Sequence, residues 1–107
     1  MEKKGRYPVV TLCGSTKFKE EFIKVAEQLT LQGVVVISVG LFGHADNKFG
    51  TVISKGVKEM LDDLHLQKID MADQIFVINV GGYIGESTSK EIEYAKKQGK
   101  VIKYLEN

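Results

Sequence analysis

A chain of 107 residues, 43% hydrophobic and 27% charged, has the size of one compact domain with one core. Fifteen Lys and Arg against fourteen Asp and Glu leave a formal charge of +1, so no bulk field draws the chain to a nucleic-acid polymer or a membrane surface, and binding must come from a local site. Cys13 is the single cysteine and has no partner for an internal disulfide, the beginning shows no long apolar signal segment, and no apolar run approaches the ~20 residues that span a bilayer; a cytoplasmic protein is expected.

Tyr7 to Cys13 is β-branched and apolar and stops at Gly14-Ser15, which predicts a first strand feeding a tight turn. Phe18, Phe22, Val25, Ala26 and Leu29 then recur at helical spacing, with Gly33 as the stop. Gly33 to Val39 is apolar almost throughout and predicts a second, parallel strand covered on both faces. A polar loop over Gly40 to Gly50 carries His44, Asp46, Asn47 and Lys48. Val57, Met60, Leu61 and Leu64 mark a second helix that ends near Asp70 to Asp73, followed by a third strand over Gln74 to Val80. A glycine-rich loop over Gly81 to Ser87, a third helix over Thr88 to Gln98 with Ile92 and Ala95 inward, and a fourth strand over Lys100 to Leu105 complete the chain. Alternating strands and helices imply right-handed crossovers, hence a flavodoxin-like or Rossmann-like parallel sheet in the order 2-1-3-4 with helices on both faces. The strand order reverses between strands 1 and 3, and ligands bind at the carboxyl edge beside such a switch point. The loops after Cys13, Val39 and Val80 meet there.

Gly14-Ser15-Thr16-Lys17 joins a strand to a helix, so backbone N–H groups, two hydroxyls, the helix dipole and a cation can all face an anion. The same residues also suit plain N-capping by Ser15 or Thr16. Neither a Walker A loop nor a Gly-x-Gly-x-x-Gly fingerprint is present. Gly82, Gly85, Ser87 and Ser89 belong to a second glycine- and hydroxyl-rich segment directly before a helix, where a substrate can approach the backbone closely. Glu91, near the start of that helix, can act as nucleophile or base; equally, Thr88-x-x-Glu91 fits a capping box in which the glutamate does no chemistry. Asp62, Asp63 and His65, then Lys68, Asp70 and Asp73, offer acid and base groups around the second helix or a solvated face and a turn. His44 and Asp46 sit on a loop able to close over a ligand. No His, Cys and carboxylate set has metal-ligand spacing, so neither metal nor cofactor is expected, and Cys13 reads as core.

Leu12-Cys13-Gly14-Ser15-Thr16, Met71-Ala72-Asp73-Gln74-Ile75-Phe76-Val77 and Glu91-Ile92-Glu93-Tyr94-Ala95 before Gly99-Lys100 together resemble the nucleoside 2-deoxyribosyltransferase family and its nucleotide N-glycosidase relatives, over most of the chain. The resemblance implies Glu91 as nucleophile, and the Gly14–Lys17 turn and Gly85–Ser89 loop as holders of the sugar or its 5′-substituent. The family's further aspartate falls on His65 here, with Asp62, Asp63 and Asp70 nearby, so Asp70 or His65 is the candidate to assist the leaving base. A final strand and helix of the family are missing, which implies a shallow pocket or one completed by a neighbouring subunit. The segment from Val80 to Glu91 also resembles the loop of the cytokinin-activating phosphoribohydrolases, with Gln67 in place of their catalytic arginine. Both likenesses imply cleavage or transfer of the N-glycosidic bond of a small-molecule nucleoside or nucleotide. The alternatives are a non-catalytic nucleotide-binding or sensing module and a small assembly subunit. A homodimer or larger homo-oligomer is expected, because so small a sheet leaves apolar edges to cover.

Overall fold

The computed structural model describes residues 6–40, 42 and 54–107. Four strands, β1 (Val9–Gly14), β2 (Val35–Ile37), β3 (Gln74–Ile78) and β4 (Val101–Tyr104), form one parallel sheet in the order β2-β1-β3-β4. Among the described residues three helices connect them: α1 (Lys19–Leu31), α2 (Lys55–Asp70) and α3 (Glu86–Lys97). Among the described residues no helix is long and apolar enough to cross a membrane.

Side-chain alternation along the central strands divides the core in two. Val10 and Leu12 of β1 and Ile78 of β3 pack with Phe22 and Val25 of α1 on one face. Cys13 of β1 and Ile75 and Val77 of β3 pack with Ile69 of α2 and Ile92 and Ala95 of α3 on the other. Burying each such aliphatic or aromatic side chain contributes about 1.5–3 kcal/mol. Polar pegs fix the layers. The buried Thr11 hydroxyl donates to the Lys68 carbonyl at 2.8 Å, tying α2 to the sheet, and the Lys100 ammonium donates to the Ala72 carbonyl at 2.7 Å just beyond the end of α2.

Several element boundaries differ from the sequence reading. The second strand shrinks to three residues and Val35 is half exposed, because β2 is an edge strand with β1 on one side only. The first helix begins late. Ser15 caps a single 3₁₀ turn, Thr16–Phe18, by accepting from the Lys17 N–H at 3.3 Å, and α1 starts only at Lys19. The N-terminal amides of α1 are therefore one turn removed from Gly14. Another 3₁₀ turn, Val80–Gly82, follows β3, and α3 starts at Glu86 rather than Thr88. Beyond β4 the chain is pinned to the sheet by Asn79, whose amide donates to the Glu106 carbonyl and accepts from the Glu106 N–H, each at 2.9 Å.

Candidate active site

The carboxyl edge of the sheet opens into a cleft of about 600 Å³, a size that suits a small-molecule ligand. Gly14, Ser15 and Thr16 form one wall after β1, and Val39 and Gly40 another after β2. Tyr83 and the residues from Gly85 to Thr88 close it after β3. Gly14 has φ +151°, and a Cβ there would meet the Ile78 carbonyl at 2.9 Å, so only glycine lets the β1 turn pass this close to β3.

Two elements supply the chemistry. On α2, Lys58, Asp62, His65 and Lys68 recur every three or four residues and line the cleft, with Leu61 beside them. On α3, Thr88 and Glu91 do the same. The capping-box reading of Thr88-x-x-Glu91 is thereby overturned. Gly85 is the N-cap, Thr88 is the third helical residue and is buried, and Glu91 lies in the second turn, too far along to reach an N-cap amide. The first amides of α3, at Glu86, Ser87 and Thr88, precede the first intrahelical donor, Ser89, and stand at the cleft wall.

At the cleft floor, Glu91 Oε1 lies 3.5 Å from His65 Nε2, with side-chain exposures of 17% and 11%. His65 Nε2 also lies 3.3 Å from Cys13 Sγ. Burial pushes Glu91 up from near 4.5 to about 7; the Asp62 carboxylate adds to the rise and Lys58 opposes it. Burial also holds His65 down from 6.5 to about 4, with Lys68 assisting and Asp62 opposing. The pair therefore lacks the charges of a salt bridge: between about pH 4 and 7 the imidazole is neutral and the carboxyl protonated. Burial, then the Glu91 charge, drives the Cys13 thiol far above its ordinary value, so it is no nucleophile as it stands.

Of the sequence candidates, Glu91, His65, Gly14, Ser15, Thr16, Gly85 and Ser87 come together at this cleft. Asp70 does not. It closes α2 at the opposite edge of the sheet, where its carboxylate accepts from the Tyr94 hydroxyl at 2.6 Å. Asp73 is likewise structural, accepting from the Val9 N–H at 2.8 Å. Lys17 points its ammonium over the Tyr83 ring, 3.7 Å from the centroid, instead of lining the cleft. Gly82 is exposed on its 3₁₀ turn and Ser89 is exposed on α3, and neither lines the cleft. His44 and Asp46 lie outside the described residues. Lys58 and Asp62 belong to the site although sequence reasoning favoured Asp70. A signal was present: a helix between parallel strands runs antiparallel to them, so its N-terminal half, not its end, sits at the carboxyl edge. Eight residues of helix separate Asp62 from Asp70, about 12 Å.

Comparison of the chain with protein-family models and with curated protein sequences finds no match.

Proposed function

We propose that this cleft cleaves or transfers the N-glycosidic bond of a nucleoside or nucleotide, with Glu91 as the nucleophile. The observation that carries the reading is a carboxyl group, half ionised near neutral pH, on the floor of a cleft framed by the Gly14–Thr16 turn and the first amides of α3. The likeness of the Gly14-Ser15 turn and the Glu91 segment to the nucleoside 2-deoxyribosyltransferases adds to it.

In this mechanism the Glu91 carboxylate attacks C1′ of the pentose, and the C1′–N bond breaks with its electron pair leaving on the base. The base takes up a proton through the cleft, whose ionisable lining includes Lys68, Glu86 and the Lys58–Asp62 pair, joined at 3.1 Å. Water or a second base then attacks C1′ and frees Glu91, so two displacements retain configuration as in retaining glycosidases. His65, neutral at working pH, stands 3.5 Å from the carboxylate as a polar neighbour that contributes no positive charge. Ser15, Thr16 and Ser87 hold the sugar or its 5′-substituent. None of these steps requires a cofactor. The ligand is a small molecule and the setting the reducing cytoplasm. Val57, Met60 and Leu64, exposed on one face of α2, are covered by a second copy in this reading.

Glu91→Gln tests it. The variant keeps the shape of the side chain and removes the nucleophile, so it folds and loses base release by at least about a hundredfold. Chromatography of products from a panel of nucleosides and 5′-monophosphates reads the result. Wild-type rates in the variant refute the assignment; a wild type that binds one of the panel and releases nothing identifies a nucleotide-binding module instead.

A further inference from the structure

We infer that Cys13, His65 and Glu91 form a three-ligand site for a zinc-like divalent ion; the inference stands on the geometry of these side chains and not on the glycosidic reading, whose nucleophile a bound ion would occupy. The sulfur, an imidazole nitrogen and a carboxylate oxygen of these residues all lie within 4.8 Å of one another. Bonds of about 2.3 Å to sulfur and about 2.0–2.1 Å to nitrogen and oxygen, at the tetrahedral angle, set ligand atoms about 3.3–3.6 Å apart. The observed separations are 3.3 Å from Cys13 Sγ to His65 Nε2 and 3.5 Å from His65 Nε2 to Glu91 Oε1. An ion placed among the three atoms needs only a small closure of Glu91 toward Cys13.

The donor set also matches in chemistry. Thiolate, imidazole and carboxylate are the ligands of borderline-soft divalent ions, whereas magnesium and calcium prefer all-oxygen shells. One thiolate, one carboxylate and a neutral imidazole carry two negative charges, which a divalent ion neutralises. On binding, the Cys13 S–H bond breaks and leaves its electron pair on sulfur for the metal, Glu91 gives up the proton it carries below about pH 7, and both protons leave to solvent. His65 and Glu91 line the cleft, so the ion enters from solvent and its fourth position faces the open space. Three protein ligands with one open position is the arrangement of ions that accept an exogenous ligand.

Cobalt(II) is the probe, because its thiolate complexes absorb in the near ultraviolet and its d–d bands report tetrahedral geometry. Titration of the metal-free protein with cobalt should develop both features at one equivalent, and zinc should displace them. Cys13→Ser should abolish the thiolate band. Because Cys13 lies in the core, Glu91→Gln at the cleft floor is the second variant; it should keep the fold by circular dichroism and weaken cobalt binding by more than about a hundredfold, beyond the usual outer-shell range. A wild type without a thiolate band, or a folded Glu91→Gln protein with unchanged affinity, overturns the site.

Discussion

Glu91 and His65 act on stability in opposite directions, so removing either one exposes the other. Folding raises Glu91 from near 4.5 to about 7. The folded state holds that proton more tightly than the unfolded chain, and the resulting stabilisation is complete below about pH 4.5 and lost as pH climbs to about 7. Folding lowers His65 from 6.5 to about 4, so its contribution is complete above about pH 6.5 and lost as pH falls to about 4. Each difference is about 2.5 in pKa, which at about 1.4 kcal/mol per unit is about 3.5 kcal/mol in full, most of it, about 3 kcal/mol, lost between the two pKa values. Near pH 5.5 the folded pair carries one proton, on Glu91, and the unfolded pair carries one, on His65. The two slopes cancel in the wild type.

Glu91→Gln removes the Glu91 contribution and keeps that of His65, so its stability relative to wild type should rise by about 3 kcal/mol from pH 4.5 to 7. His65→Asn removes the His65 contribution and keeps that of Glu91, so its stability relative to wild type should fall by about 3 kcal/mol from pH 4 to 6.5. Urea unfolding followed by circular dichroism across this range measures both, and subtraction of the wild-type curve removes titrations elsewhere. Variants that both track the wild type, or that slope the same way, refute the assignment of a protonated Glu91 beside a neutral His65.

If Glu91 must be ionised to attack, base release should rise with pH through about 7; Asp62→Asn should move that limb to lower pH and Lys58→Met to higher pH, as a pH–rate profile of each variant will read. Gly14→Ala should destabilise by about 1–3 kcal/mol through its positive φ, with further loss from the 2.9 Å approach of the new Cβ to the Ile78 carbonyl, measurable by urea unfolding. Asn79→Ala removes both hydrogen bonds to Glu106 and should cost about 1–2 kcal/mol, with faster amide exchange confined to β4 and the residues after it.

The sheet order was legible because periodicity changes cleanly along the chain: apolar β-branched runs of strand length alternate with helical spacing, and right-handed crossovers leave few ways to connect them. Helix starts were harder. Thr88 and Glu91 stand three residues apart, which is the spacing of a capping box and equally that of two residues on one inward face of a helix. Gly85 caps α3 without a side chain to announce it, and so the second pattern passed for the first. Ser15 misled in the opposite sense, being a true cap of a 3₁₀ turn that delays α1 to Lys19.

The meeting of Cys13, His65 and Glu91 has a different obstacle. The residues lie 52 and 26 positions apart along the chain, so no local spacing marks them. Topology supplies part of the answer: from β1 the chain crosses one way to β2 and the other way through β3 to β4, so right-handed connections place α1 on one face and both α2 and α3 on the other. His65 and Glu91 can then share a floor. Whether Cys13 joins them depends on the parity of β1, since moving the strand by one residue sends Val10 and Leu12 to α2 and α3 and turns Cys13 toward Phe22. A strand apolar on both faces carries almost no parity signal of its own. Thr11 is the exception, because its buried hydroxyl requires an acceptor and finds it in the Lys68 carbonyl on α2, which fixes the odd-numbered residues, Cys13 among them, on the side of the cleft.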